Sequence, residues 1–275
     1  MPDAECMMKS SAKRSVALAR QLCSAARGHG RDPYAAGSKG LVIYGPPTSR
    51  VCKVRWAAAE AQQSFETVPD MFPERRSPWY LELNPKGTVP TLRDGDLIIN
   101  ESNSAVMYLL HRFADCSSSS ALLPLNDPAL LATAWQWAEW AEGVLAPAQN
   151  LVFFPIVRGT YAPAARRGAG AGAGRPSDAE VEAAVAPLAA AWRVLDTHLA
   201  GAGHTGGARA PRDYILGPHF SFADFTAAVQ ANRLIRNDGF GFSDLLPSLF
   251  PAVSAWYDRI KERPAFAEYV LPNFT

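Results

Sequence analysis

"NPKGTVPTLRDGDLIINES", residues 84–102, places three backbone instructions in one stretch. Val89-Pro90 opens an apolar run, and a proline there has no N–H to give a central ladder position, so an edge or a cis bond is implied. Asp94-Gly95-Asp96 separates two apolar segments, and Asp-Gly between such runs is a strong hairpin signal. Glu101-Ser102 then begins a helix that continues through Val106, Leu109, Leu110 and Phe113 at helical spacing. The first turn of a helix carries N–H groups without intrahelical partners at the positive end of the dipole, and so favours an anion such as a carboxylate. The plainer role for Ser102 or Asn100 is to cap that helix.

Upstream, "LVIYG" from Leu41 reads as a short buried strand, residues 50–61 as a helix and "SFETVP" as a second strand. "SPWYLELNPKG" supplies a short irregular or helical connection. Residues 41–115 thus read β-α-β, a connection, then β-β-α. Downstream of "CSSSSALLPLNDP" strand signals fade. Helical patterns run from about Pro128 to Gly159, from Ser177 or Asp178 to about Leu199, from near residue 221, and from about Pro247 to Arg263. "APAARRGAGAGAGRPSD" at 162–178 is too rich in Gly and Ala to pack and reads as an inserted loop, and a second loose loop covers 200–213.

Residues 1–40 differ in composition, being rich in Ala, Ser, Arg and Lys. They read as an N-terminal extension, either a transit peptide for plastid or mitochondrion or a disordered arm; Asp3 and Glu5 count against the transit peptide. The expected domains are therefore this extension, a domain over 41–116, and an all-helical domain over 117–275 with insertions near 162–176 and 200–213.

The whole chain has 275 residues, 48% of them hydrophobic, and a formal charge of +1, so no global field would draw it to nucleic acid or an anionic membrane. No apolar run approaches the roughly 18 residues that cross a bilayer. Cys6, Cys23, Cys52 and Cys116 show neither C-x-x-C spacing nor a histidine partner, which suggests a reducing compartment, the cytoplasm, and no metal.

A Val-Pro bond at the entry to a β-β-α unit resembles the thioredoxin fold, whose cis-proline exposes the backbone of the preceding residue to an extended, peptide-like ligand. Combined with a carboxylate pocket at Glu101-Ser102, the chain resembles a cytosolic-type glutathione transferase. The strand, the Ser-Arg loop, the "VRWA" helix, "NPKGxVPxLxDGDLxxxES" and the helical second half carry the likeness from about Leu41 to Val270. The resemblance implies a thioredoxin-like domain, β-α-β-α-β-β-α around a mixed four-stranded sheet, then an all-α bundle. It implies glutathione as cosubstrate with no cofactor, an apolar electrophile, and a homodimer. Val89, Pro90, Glu101 and Ser102 would anchor glutathione, and Lys86 would approach its glycine carboxylate.

The chemistry then rests on the substrate's thiol. An unperturbed thiol titrates near 8.5, and lowering it by two units takes about 2.7 kcal/mol of preference for the anion. One charge-assisted hydrogen bond contributes roughly 1.5 to 3 kcal/mol. In "GPPTSRVCKVRW", residues 45–56, Ser49 just before a helix is the donor of choice and Thr48 the alternative. Tyr44 reads as a packing aromatic. "SRVC" holds serine where a C-x-x-C would have its attacking cysteine, so Cys52 reads as a small apolar residue of the helix. Trp140, Phe153, Phe154 and Tyr161 are apolar candidates for the electrophile's side of the pocket.

"FSFADF" at 220–225 reads as a capping box, with Ser221 accepting the Asp224 N–H, Asp224 returning to the Ser221 N–H, and Phe220 and Phe225 as the staple. Its role is structural. The rival functions are a glutathione-dependent cis-trans isomerase, a thiol/disulfide (deglutathionylating) enzyme, and a non-enzymatic module of the same fold.

Overall fold

The computed structural model describes residues 40–69, 71, 74–113, 122–152, 177–202, 210–236 and 242–274. The expected N-terminal extension, the 162–176 insertion, the middle of the 200–213 loop, and Phe153, Phe154 and Tyr161 lie outside these residues.

β1 (Leu41–Tyr44) is buried along its whole length. Its period of two sends Leu41 and Ile43 into the large core and Val42 and Tyr44 to the opposite face, beside Val68, Met71 and Tyr80. A strand covered on both faces reads as an unbroken apolar run, as "LVIY" does. β1 pairs in parallel with β2 (Phe65–Val68), and α1 (Cys52–Glu60) makes the crossover that a parallel pair needs. On its other side β1 pairs antiparallel with β3 (Thr91–Asp94), which forms a hairpin with β4 (Leu97–Asn100). The sheet order is β2-β1-β3-β4. Asp94 faces Leu97, leaving Gly95 and Asp96 as the two-residue turn, and Gly95 takes a φ of +57° that favours glycine. α2 (Pro78–Leu83) lies in the β2–β3 connection, and α3 (Ser102–Arg112) follows β4 and packs on α1.

The named elements of the second half are all helices, and its described connections hold one isolated β-bridge, between Tyr214 and Gly217. α4 (Pro128–Trp140) starts on Asp127, whose carboxylate accepts the Ala129 and Leu130 N–H groups at 3.0 Å. A wider π-helical turn, Ala141–Leu145, joins it to α5 (Ala146–Val152). α6 (Asp178–Leu199) opens with a Ser177–Glu180 capping box. α7 (Phe222–Arg236), α8 (Phe242–Leu249), α9 (Pro251–Lys261) and α10 (Pro264–Tyr269) complete it. Among the described residues no helix is long and apolar enough to cross a membrane.

The helix expected over Pro247–Arg263 is two helices. Pro247 lies inside α8, and the break falls at Phe250 (φ −141°, ψ 65°), after which Pro251 takes the first turn of α9, where its missing N–H is no loss. Arg263 is extended (ψ 123°) because Pro264 follows it, so the expected stop is in place.

The box at the start of α7 differs from the expected one in one bond. Asp224 Oδ2 does accept the Ser221 N–H at 2.9 Å, but the Asp224 N–H goes to the Ser221 carbonyl at 3.0 Å. The Ser221 hydroxyl instead accepts the Ala223 N–H at 3.3 Å and donates to Asp224 at 3.2 Å. Phe220 and Phe225 meet as the staple, with ring centroids 5.0 Å apart. Asp224 Oδ1 also takes the Ile215 N–H at 3.0 Å and the Trp256 indole N–H at 2.8 Å, so this carboxylate ties α9 and the preceding loop to α7.

One apolar core runs through both halves. Trp56 of α1 stacks among Phe220, Phe225 and Phe266 at centroid distances of 5.2, 4.2 and 4.9 Å. Beside it, Glu60 accepts a two-pronged ion pair from Arg263 at 2.8 and 2.7 Å.

Candidate active site

The sheet register gathers the sequence's candidates at one end. Tyr44 ends β1 opposite Thr91, which starts β3 opposite Asn100, the end of β4. Gly45, Val89-Pro90 and Glu101-Ser102 follow or precede those residues directly, so they share that edge of the sheet. Gly45 has φ +126°, and a Cβ there would meet Val51 at 2.6 Å and Val89 at 2.8 Å. Only glycine lets the strand end, the 47–51 turn and the Val89 loop come this close.

Val89-Pro90 is a cis peptide. Two donors fix the loop: the Tyr80 hydroxyl and the Asn84 amide both donate to the Thr88 carbonyl at 2.7 Å. Among the described residues the Val89 N–H and C=O have no hydrogen-bond partner, and its side chain is half-buried. The backbone of Val89 is thus an unpaired edge, as the sequence implied.

Ser49 has extended φ/ψ (−120°, −170°) inside the Pro47–Val51 turn, which runs directly into α1. Its hydroxyl accepts the Val51 N–H at 3.3 Å, the geometry of an N-cap, and donates to the Pro46 carbonyl at 2.7 Å. Ser49 is half-buried and Thr48 exposed. Tyr44 is fully buried and packs against Trp79 and Tyr80, as a packing aromatic should.

α3 begins with Glu101 in the flanking position at φ +88°, without a side-chain cap. Neither Asn100 nor Ser102 caps it, contrary to the plain reading. The Asn100 amide donates to the Leu83 carbonyl at 2.9 Å, and the Ser102 side chain is buried. A non-glycine residue at such a φ costs about 1–3 kcal/mol and is held there by its surroundings. Lys86 and Glu101 form an ion pair across the mouth of this edge, both well exposed.

Sequence reading missed Lys53 and Glu142. Lys53 is 1% exposed, and its ammonium donates to Asn103 Oδ1 at 2.6 Å, Glu142 Oε1 at 2.7 Å and Thr226 Oγ1 at 2.9 Å. Glu142 Oε2 takes Arg50 at 3.0 Å. Burial disfavours the Glu142 anion, but the Lys53 and Arg50 charges with a hydrogen bond from Lys53 outweigh it and hold its carboxyl below the usual range. Burial draws Lys53 below the usual lysine value, and Glu142 opposes that. The available signal was a lysine between Cys52, Val54 and Trp56, on a helix side that must be buried.

Cys52 is fully buried, and burial pushes its thiol up to about 12 against the charges of Lys53 and Arg55. Such a sulfur is neutral and out of reach. Trp140 is half-buried and packs edge-on against Trp137 at 5.2 Å. Among the described residues no group of His, Cys, Asp and Glu gathers as a metal site.

A thioredoxin-like sheet that opens an unpaired backbone edge beside an uncapped helix, followed by a helical bundle, defines the two-domain fold of the soluble glutathione transferases. Residues 43–117 match the glutathione S-transferase N-terminal domain and residues 178–259 the glutathione S-transferase C-terminal domain. Glutathione S-transferase 3 of Zea mays is 30% identical over 84% of this chain and 93% of its own. A solved theta class glutathione S-transferase from Xanthomonas axonopodis pv. citri, with glutathione bound, is 26% identical with a TM-score of 0.65, over 86% of this chain and 100% of that one. Poplar glutathione transferase F1, at 22% identity and a TM-score of 0.67 over 86% and 99%, shares the fold. The chain belongs to the glutathione S-transferase family.

Proposed function

We propose that this chain conjugates the glutathione thiolate to an apolar electrophile. The observation that carries the reading is the joint placement of the unpaired Val89 backbone and the uncapped first turn of α3 at one sheet edge. The first suits the peptide backbone of glutathione and the second its carboxylate end. Val89, Pro90, Glu101 and Ser102 anchor the peptide, and Lys86, drawn to the same mouth by Glu101, meets its glycine carboxylate. Ser49 donates to the thiolate, with Thr48 as the alternative; the 47–51 loop borders Val89 through Gly45, which supports either residue.

Ser49 can keep its cap bond while doing this. A hydroxyl has one proton and two lone pairs, so the lone pair accepting from Val51 stays in use while the proton turns from Pro46 to the sulfur.

The exposed Leu97, Met107 and Leu130 on β4, α3 and α4 support a homodimer that draws on both halves, which light scattering would test. A free, buried Cys52 fits a cytoplasmic location. The test of the function is a conjugation assay with a panel of apolar electrophiles alongside calorimetric titration with glutathione. Binding with turnover of an electrophile supports it. Regeneration of glutathione with a cis-trans isomer as product would favour the isomerase, and failure to bind glutathione would favour an interaction module.

A further inference from the structure

The Pro47–Val51 turn that carries Ser49 draws little support from its own backbone. Pro46 and Pro47 have no N–H to give, and Ser49 leaves the helical region in mid-turn. Its neighbours supply the support. Val51 closes on Gly45 together with Val89, which ties the turn to the cis-proline loop. The short 3-10 turn Leu271–Phe274 of the helical half packs against Pro47–Val51 as well.

That second turn is tied down by a buried pair. The Asn232 amide on α7 donates to the Val270 carbonyl at 3.0 Å, and Asn232 Oδ1 accepts the Tyr257 hydroxyl of α9 at 2.7 Å. Asn232 is 0% exposed and Tyr257 2%, so both bonds form away from water, where an unpaired partner is costly. The Val270 carbonyl also accepts the Asn273 N–H at 3.1 Å, and the Asn273 amide returns to the Tyr269 carbonyl. Val270 is therefore where two helices fix the direction of the segment that meets the Ser49 turn.

We propose that Asn232 is a positioning residue for the thiolate: through Val270 it sets the Leu271–Phe274 turn against Pro47–Val51, and so fixes the direction in which Ser49 donates. The inference rests on the reading of Ser49 as the donor to the thiolate. Val89 and the first turn of α3 are carried by β3 and β4, so glutathione binding is left to them. The bracing turn acts on thiol ionisation.

The experiment compares wild type, Asn232→Ala, a chain ended after Val270, Ser49→Ala, and Ser49→Ala in the ended chain. Ending the chain removes the bracing turn and leaves the Asn232–Tyr257 pair in place, so it decides the matter if Asn232→Ala does not fold. Glutathione Kd is measured by calorimetry, and kcat at saturating glutathione is followed against pH, which reports the bound thiol. In Asn232→Ala and in the ended chain the apparent thiol pKa should rise by about half a unit to one unit. That lowers kcat about three- to tenfold below the pKa, and the gap closes at high pH, where the thiol ionises unaided. Kd should stay within about twofold of wild type. Ser49→Ala should raise the pKa by itself, and ending the chain should add no further rise, because the turn acts through Ser49.

An equal fall in kcat at every pH is what a merely structural role gives, a smaller active fraction, and it overturns the proposal. A weaker Kd with an unmoved pKa overturns it too, as does a folded Asn232→Ala with the wild-type pKa or a further rise in the combined variant. Wild type that does not bind glutathione, or Ser49→Ala with an unmoved pKa, would sink the reading of the site itself. Ser49→Ala that moves the pKa while the ended chain does not would sink only this inference.

Discussion

The Ser49 hydroxyl donates to the Pro46 carbonyl across 2.7 Å while its oxygen accepts the Val51 N–H at 3.3 Å. In this arrangement it satisfies the N–H of Val51, which leads into α1, and holds the loop, and its proton can turn from Pro46 toward a thiolate. Ser49→Ala should therefore lose two things: about 1 kcal/mol of stability from the cap, and the donor to the thiolate. The apparent thiol pKa in a pH–rate profile should rise, and the rate near neutral pH should fall. Thr48→Ala, at an exposed position, should leave both nearly unchanged. If the pKa moves in Thr48→Ala and stays put in Ser49→Ala, the roles are exchanged.

Cys52 should be chemically silent in the folded protein. Its thiol is fully buried and pushed up to about 12, so at neutral pH almost none is thiolate, the form that attacks. Cys52→Ala should retain conjugation activity, and a thiol reagent should label Cys52 only after denaturation. Cys52→Ser should be the less stable of the two, because it puts a polar hydroxyl into the apolar cluster around position 52. Loss of activity in Cys52→Ala with the fold intact would show that this sulfur takes part.

The sheet was legible because its signals are local. An unbroken apolar "LVIY" marks a strand covered on both faces, and Asp-Gly fixes a two-residue turn. Val89-Pro90 and Glu101-Ser102 were legible as a pair because they flank that same hairpin. The Lys53–Glu142 contact was not, since it joins positions 89 residues apart and a lysine in a helical pattern reads as solvated. The last helix was misjudged for a related reason: Pro247 and Pro251 both look like starts, and the choice is made by Phe250, which is buried and leaves the helical region. The Ser221 cap was placed on the right residues with one bond misdirected, because a serine hydroxyl can reach either of two neighbouring N–H groups in the first turn.

Asp224 makes stability depend on pH in an unusual direction. Burial raises its carboxyl to about 6, and the hydrogen bonds from Ile215, Trp256 and Ser221 oppose that rise without cancelling it. Its folded value thus exceeds its unfolded one, so the native state binds the extra proton between about pH 4 and 6. The stability tied to this group is complete below the unfolded value and is lost as pH rises through the folded one. Denaturant midpoints at pH 4, 5, 6 and 7 should show wild type losing ground against Asp224→Asn as pH rises, at up to about 1.4 kcal/mol per pH unit. A gap that widens in favour of wild type over that range would show a depressed carboxyl. Asp224→Ala should cost more than an exposed cap, since it strands the Ile215 and Trp256 donors in the core as well.

Lys86 and Glu101 are paired with 52% and 65% of their side chains exposed, and exposed pairs contribute roughly 0–1 kcal/mol. Lys86→Ala should leave the denaturation midpoint almost unmoved. If Lys86 meets the glycine carboxylate, the same variant should raise KM for glutathione, and raised salt should weaken wild-type binding more than that of the variant. A variant with unchanged KM would leave Lys86 a partner of Glu101 alone.

Glu101 combines a strained backbone with a carboxylate at the mouth of the site, and two substitutions separate them. Glu101→Ala keeps a Cβ at φ +88° and removes only the carboxylate. Glu101→Gly removes the carboxylate and the steric cost together, while giving the unfolded chain more freedom. The strain of about 1–3 kcal/mol exceeds that entropic loss of under about 1 kcal/mol, so Glu101→Gly should be the more stable of the two variants. Both should bind glutathione more weakly than wild type if the carboxylate is an anchor. A stability order with Ala above Gly would mean that the surroundings set this conformation at no local cost. Undiminished glutathione binding in both variants would take Glu101 out of the site and leave the first turn of α3 with Ser102 as its anchor.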